Sequence, residues 1–569
     1  MFGIFGHGNV AGIGEALGQF QEQMPYYRGQ NEQSMAHAAI AYAKANRARR
    51  VMGVTTSIGP GATNLVTAAA LAHINRLPVL FLPGDIYASR RPDPVLQQLE
   101  SEKSPLASVN DCFIPVSRFF DRITRPEQLI ESLPQAVRTL LDPQQRGPVT
   151  LALPQDAQAE KYLFPAHFFE EKLHAIYRTR PDLNQLHRCA EMIKGAKRPL
   201  MIVGGGIHYS GAEETLRQFV EKHQIPICET QAGKCALPWD HPMNLGGIGV
   251  TGTSAANRIA QEADLVLCVG TRLSDFTTAS KSLFHRPEVQ FIGLNVSSFD
   301  ALKGNGEMLI CDAQAGLEEL SSALGETVYQ QQIQQVKEDW ELQYREATEP
   351  KGEGLPSDAE VLYAVNQMVG PKDIVLCAAG GLPGELHKLW RSSDPLSYHL
   401  EYGYSCMGYE IAGGLGAKMA HPDREVYVLV GDGSYLMMHT ELLTANQLGY
   451  KINVVLLDNR GFGCINRLQK SCGSAPFGNL FQNDVKVDFA KNAESYGCHS
   501  AHVQTLEELQ NTLRKNLKES RSCVTVIDTN PQKSSSGYAW WDVAVAEHSE
   551  QKGVQEARQK YEEMICKLK

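Results

Sequence analysis

The feature that most restricts this chain is a recurring unit: a short, unbroken apolar run that ends in a glycine-rich turn and leads into a helical pattern. The clearest runs are PVLFLPGD (78–85), PVTLALP (148–154), PLMIVGGG (199–206), DLVLCVGTR (264–272), QFIGLNV (290–296), DIVLCAAGG (373–381), EVYVLVGDG (425–433) and INVVLLDN (452–459). A strand with one wet face alternates polar and apolar residues. A continuous run instead fits a strand covered on both faces, as in a parallel sheet flanked by helices. The expected fold is therefore α/β, built from doubly wound parallel sheets.

Two stretches break the rhythm. Residues 156–184 carry charge and no strand-and-glycine unit, and residues 326–357 are polar, helix-prone and close on a Gly/Pro/Glu cluster. Read as linkers, they divide the 569 residues into domains at 1–157, 185–325 and 356–545, with a charged helix over 546–569. The formal net charge is -10, which argues against a nucleic-acid partner. No apolar run approaches the ~20 residues that span a bilayer, so no membrane partner is expected. The start, MFGIFGHGNVAGIG, has no basic residue and too short an apolar stretch for a signal peptide. The 13 cysteines form no C-x-x-C pair, and Cys268 and Cys377 sit inside apolar runs. They read as reduced, buried thiols of a cytoplasmic protein, without a zinc site.

The strongest local signal lies in the third block. The strand EVYVLV runs into Gly431-Asp432-Gly433-Ser434, a helical stretch YLMMHTELLTANQLGY follows, and KINVVLL then delivers Asp458-Asn459-Arg460-Gly461-Phe462-Gly463. In a parallel strand–helix–strand unit both strands end on the same edge of the sheet, so Asp432 and Asn459 are presented together. Mg²⁺ takes hard oxygen ligands and uses only one or two protein carboxylates, filling its shell with phosphate and water. Asp432, the Asn459 side chain and the backbone carbonyl near Gly461 suit that need. The glycines beside Asp432 let backbone N–H groups approach a diphosphate at a helix start.

This pattern, Gly-Asp-Gly followed by Asp-Asn and Gly-Phe-Gly, resembles the cofactor motif of thiamine-diphosphate enzymes of the acetolactate synthase-like family. The family pattern ends in Asn-Asn, where this chain has Asp458-Asn459. NEQSMAHAAIAYA (31–43), TTSIGPGATN (55–64), MIVGGGIHYSGA (201–212), VGTRLSDF (269–276) and GYSCMGYEIAGGLGAKMAHPDREV (403–426) resemble further segments of the family in the same order. The resemblance implies three domains of this fold (pyrimidine-binding, central and diphosphate-binding) and two cofactors, thiamine diphosphate and Mg²⁺. It makes Glu32 the carboxylate that hydrogen-bonds N1′ of the aminopyrimidine, although alone Glu32 reads as a first-turn acid behind an Asn31 cap. It places Met407 as the apolar wedge that bends the cofactor and backbone groups of Ser405 against the pyrimidine. Gly380, Gly381 and Leu382 join Gly431, Asp432, Gly433, Ser434 and Asn459 around the diphosphate. In the family Glu32 and the metal motif come from different subunits, which implies a homodimer or homotetramer with shared active sites. FAD, which some members keep, is not expected. The resemblance also implies a helix ahead of the strand at Phe2, so the first domain is expected to be short at its start.

Within the family, IFGHGNVAGIGEAL (4–17), GQNEQSMAHAAIAYAK (29–44), RRPDPVLQQLE (90–100), ETQAGK (229–234), HLEYGYSCMGYEIAG (399–413) and GFGCINRLQ (461–469) are similar to a branch that hydrolytically opens a cyclic polyol dione. The implied reaction breaks the bond between the two carbonyl carbons and adds water. His7 and Asn9 are the polar groups expected at the pocket mouth, though His7 alone reads as a turn histidine. Asn466 and His439 are weaker candidates, and Tyr402 and Tyr404 are expected to pack. Three other readings stay open: a non-catalytic scaffold with a decayed site, a carboligase acting on 2-keto acids, and a nicotinamide oxidoreductase. The last rests on Gly6-His7-Gly8-Asn9-Val10-Ala11, which fits G-x-G-x-x-A, but no acid for a ribose follows in MPYYRGQ.

Overall fold

The computed structural model of the chain describes residues 1–89, 94–352, 354–481 and 485–568; the first four residues of RRPDPVLQQLE thus lie outside the described residues. Every apolar run named above contributes a strand. The first sheet holds β1 (Phe2–Gly3), β2 (Tyr27–Arg28), β3 (Gly53–Thr56), β4 (Leu80–Asp85), β5 (Phe119–Arg122) and β6 (Val149–Pro154) in the order β2-β1-β3-β4-β6-β5. The second holds β7 (Pro199–Val203), β8 (Ile227–Glu229), β9 (Asn244–Gly247), β10 (Leu265–Val269), β11 (Gln290–Asn295) and β12 (Glu307–Ile310) in the order β12-β11-β10-β7-β8-β9. The third holds β13 (Ile374–Cys377), β14 (Tyr398–Leu400), β15 (Val426–Gly431), β16 (Asn453–Asp458), β17 (His499–Val503) and β18 (Cys523–Asp528) in the order β14-β13-β15-β16-β18-β17. The pairings are parallel throughout, for instance Val428 beside Val454 and Leu456 beside Val526. The outer sheets share one strand order, and the central sheet has the dinucleotide-fold order 3-2-1-4-5-6 read from its other edge.

The continuous runs are explained by burial on both faces. In β15, Val426, Val428 and Val430 point into one core, while Tyr427 and Leu429 point into another. The first of these cores is shared between the outer domains, so that Phe2, Met35 and Ile40 belong to the same cluster as Leu415 and Val428. Its centre is the crossing of two helices, Glu32–Ala45 and Tyr409–Ala420. They approach so closely that a Cβ on Gly416 would stand 2.0 Å from the Ala38 carbonyl oxygen, so that position excludes any larger residue.

Three local expectations are revised. The stretch after Gly-Asp-Gly-Ser is two helices, Asp432–Met437 and Glu441–Leu448, because Met438 leaves the helical region (φ -153, ψ 78). The last helix starts at Lys552 rather than near 546, with Ser549 accepting the Gln551 N–H ahead of it in the manner of a cap. In the Gly6–Ala11 turn, the glycine at position 8 answers to packing and not to a pyrophosphate. A Cβ there would lie 2.5 Å from the Ile58 side chain. The 326–357 linker holds the helix Gln334–Thr348, and 156–182 carries only the short turns Ala157–Ala159 and Ala166–Phe169. Among the described residues no helix is long and apolar enough to cross a membrane.

Candidate active site

β15 and β16 are neighbours and run in the same direction, so the turns that follow Gly431 and Asp458 emerge side by side. Asp432 opens the helix Asp432–Met437 and is fully buried. Neither of its carboxylate oxygens has a hydrogen-bond partner, and the buried Oδ1 of Asn459 has none either. Burial first, and then the charge of Asp458, push the Asp432 carboxyl up to about 7. The N–H groups of Gly433, Gly461 and Asn459 lie near enough to offset part of that rise but do not satisfy the carboxylate. Orphaned buried oxygens are costly and rare, and they call for a missing partner. A small hard cation between Asp432 and Asn459 would supply it, and the donor set of one carboxylate, one amide oxygen and a backbone carbonyl suits such an ion. Gly461, at φ +135, shapes the turn that offers this carbonyl. The turn is pinned from outside by Phe462 N–H to the Asn479 carbonyl and Phe481 N–H to the Arg460 carbonyl, both 2.8 Å.

Glu32 is the first residue of its helix, with Asn31 as the cap accepting the Ser34 N–H. Its carboxylate accepts from Asn64 Nδ2 at 2.9 Å, beside the Gly59–Pro60–Gly61 turn after β3. Among the described residues no hydrogen bond joins it to the turns after β15 and β16. The start of the helix is nonetheless fixed from the third domain. The buried Glu441 accepts from Gln30 N at 2.9 Å, Asn31 N at 3.2 Å and Ser34 Oγ at 2.6 Å.

The remaining candidates fall into two groups. Gly380 (φ +88) and Gly381 end the turn after β13, and both Gly380 and Gly431 have open space where a side chain would stand. Leu382 is buried in the core, which leaves only its backbone for a ligand. Ser405 is exposed in a left-handed conformation (φ +53), and Met407 is half-buried two residues later. Ser434, by contrast, turns its hydroxyl to Glu410 Oε2 at 2.7 Å and receives the Gly408 N–H at 2.8 Å, so its side chain is engaged within the protein. Asn9 likewise holds its own turn, accepting from Gly6 N–H at 3.0 Å and donating to Thr55 Oγ1 at 3.2 Å. His7 in the same turn is exposed. His439 stacks on Tyr435 and shares a hydrogen bond with its carbonyl oxygen, a packing role. Tyr402 packs edge-on against Phe276, and Tyr404 is exposed. Asn466 is buried with neither carboxamide atom hydrogen-bonded.

Sequence reasoning missed three buried acids: Glu401, Glu410 and Glu441. One signal was visible: Glu410 immediately precedes the apolar segment IAGGLGA (411–417), where a charge has no solvent to face.

Three family models match the chain in order. Their descriptions are "Thiamine pyrophosphate enzyme, N-terminal TPP binding domain" over residues 1–104, the central domain over 186–320, and the C-terminal TPP binding domain over 378–528. The chain belongs to the thiamine pyrophosphate enzyme family. Among curated relatives, the "3D-(3,5/4)-trihydroxycyclohexane-1,2-dione hydrolase" of Bacillus cereus (strain AH820) is 45% identical, covering 100% of this chain and 94% of the relative. The protein of the same name from Geobacillus thermodenitrificans (strain NG80-2) is also 45% identical, over 99% and 94%. The three orphaned oxygens at the ends of β15 and β16 lie within the residues matched by the C-terminal TPP binding domain. Membership removes the nicotinamide reading of Gly6–Ala11. A cavity of about 580 Å³ lies elsewhere. It opens where β7 and β10 of the central sheet part, against Gly204–Gly206 and Gly270–Arg272. The unpaired buried oxygens instead point to Asp432 and Asn459.

Proposed function

We propose that this protein hydrolyses 3D-(3,5/4)-trihydroxycyclohexane-1,2-dione to 5-deoxy-glucuronate in the cytoplasm, as a step of myo-inositol breakdown, with thiamine diphosphate and Mg²⁺. The observation that carries the reading is the 45% identity, over the whole chain, to proteins named for that reaction. Asp432, Asn459 and the Gly461 carbonyl hold the Mg²⁺. Backbone N–H groups of Gly380, Gly381, Leu382, Gly431 and Gly433 approach the diphosphate at helix starts, where the dipole favours anions. Ser405 offers its backbone to the aminopyrimidine, and Met407 keeps the cofactor bent. When bound, thiamine diphosphate supplies a carbon nucleophile that adds to one carbonyl and takes up the electrons of the broken bond. Glu32 holds and returns the proton at N1′ that this requires. His7 stands at the rim of the first domain, free to meet a substrate hydroxyl.

The reaction balances with one water. The bond between the two carbonyl carbons breaks, one carbon gains the water oxygen and becomes a carboxylate, and the other gains hydrogen and becomes an aldehyde. Two features support a homodimer or homotetramer with shared sites. Among the described residues no hydrogen bond links Glu32 to the metal motif, and Met437, Phe462 and Ile465 expose apolar surface around that motif. The test is to incubate the protein, cofactor and Mg²⁺ with the dione in ¹⁸O-water. One label in the carboxylate of a six-carbon acid supports the reading. An intact dione, together with rapid conversion of pyruvate to acetolactate, overturns it in favour of a carboligase.

A further inference from the structure

Between β14 and the helix Tyr409–Ala420 runs the loop 401–408, which carries Ser405 and Met407. Two of its residues are left-handed: Ser405 at φ +53 and Gly408 at φ +85. For a serine that conformation costs energy and persists only where the surroundings hold it. Here the surroundings are two buried carboxylates, one at each end. Glu401 Oε1 accepts the Tyr404 N–H at 2.8 Å, and its Oε2 accepts the Cys406 N–H at 2.9 Å, so the amides on both sides of Ser405 converge on one side chain. Asn75 of the first domain donates to Glu401 Oε1 at 2.9 Å and fixes the carboxylate itself. Glu410 works at the other end. It accepts the Gly408 N–H at 3.1 Å, the Ser434 hydroxyl at 2.7 Å and the Ala379 N–H at 3.3 Å. Those three donors belong to three separate segments: the Met407 loop, the Gly-Asp-Gly-Ser turn, and the turn that leads to Gly380 and Gly381.

We infer that Glu410, seconded by Glu401, is a positioning residue that fixes the three cofactor-binding segments relative to one another. The inference rests on the reading that these segments hold thiamine diphosphate. Neither carboxylate is free to touch a ligand, since each is filled by the protein's own donors. Their effect is geometric. A carboxylate accepts on both of its oxygens at once, whereas a glutamine of the same size accepts on only one. With Glu410 removed, the Gly408 and Ala379 amides lose a buried partner, and the loop and the two turns lose their common anchor.

The experiment compares wild type, Glu410→Gln, Glu401→Gln and Ser434→Ala in calorimetric titrations of thiamine diphosphate with Mg²⁺ present. Melting of the cofactor-free proteins and kcat at saturating cofactor are measured alongside. Glu410→Gln is expected to raise the cofactor Kd about tenfold or more and to lower kcat, as loss of an orienting partner does. Ser434→Ala and Glu401→Gln should each raise the Kd severalfold, while the melting temperature without cofactor stays within a few degrees. Wild-type Kd and kcat in Glu410→Gln and Ser434→Ala would overturn the inference. So would a collapse of melting temperature in step with affinity, which marks a merely structural role. Failure of the wild type itself to bind thiamine diphosphate would instead refute the reading of the site, and the inference with it.

Discussion

Asp432 and Glu32 are both acids at helix starts, yet their surroundings give them opposite work. Asp432 is sealed from water with no donor on either oxygen, so a cation is its natural partner. Glu32 is half-buried and held by one amide from Asn64. Glu32→Gln keeps the shape and the Asn64 contact but cannot carry the proton. Turnover is expected to fall by about 10²-fold or more while cofactor affinity stays within about threefold, measured by product formation and calorimetry. Near-normal turnover would return Glu32 to its role as a first-turn acid. Both residues were singled out in the sequence because each lies in a short contiguous motif. Glu401, Glu410 and Glu441 were not. Glu441 meets Gln30 across more than four hundred residues of sequence, and only the fold brings such partners together. Ser434 was read as a diphosphate contact because the motif gives its position; it does not give the direction of its hydroxyl, which Glu410 claims.

The helix Glu32–Ala45 connects the site to the core. Its crossing with Tyr409–Ala420 depends on Gly416, where an added methyl would press into the Ala38 carbonyl. Gly416→Ala is expected to cost about 2–3 kcal/mol in urea unfolding, despite the better helix propensity of alanine. An unchanged midpoint would mean the two helices are not in contact. The same helix buries His37, and burial pushes its imidazole down to about 4, against a weaker pull upward from the Gly408 backbone. Between about pH 4 and 6.5 the unfolded chain therefore holds a proton on His37 that the native chain lacks, so this contribution to stability is lost as pH falls through that window. In His37→Leu the slope of unfolding free energy with pH should be lower than wild type by about 1.4 kcal/mol per pH unit in that range. Parallel slopes would contradict the assignment. The strands that were legible, such as β4, β7, β10 and β15, are interior ones with continuous apolar runs. The six edge strands went unread, because an edge is partly wet and mixes polar residues in, as in HSAHV of β17 and FFDR of β5.

At the scale of the whole molecule, three sheets divide the labour. The first carries the acid of Glu32, the third carries the metal motif, and their shared core fixes one against the other. If the site is completed by a second copy, mixing Glu32→Gln protein with Asp432→Ala protein should restore activity that neither has alone. Random exchange in a dimer gives about a quarter of wild-type turnover, since half the dimers are mixed and one of their two sites is intact. No recovery after verified subunit exchange would place both residues of a site in one chain. The family and the three-layered fold were readable from the apolar runs and two motifs. The assembly was expected from the family resemblance alone, because a surface shows apolar residues such as Met437 and Phe462 only once the chain is folded. The central claim is that this chain grips a diphosphate cofactor through Asp432, Asn459 and a divalent cation. Its most direct test is a calorimetric titration of thiamine diphosphate into wild type and Asp432→Ala, with Mg²⁺ and then with EDTA. The account predicts saturable binding at one site per chain, lost with EDTA and lost in the variant; binding that persists unchanged in either case would contradict it.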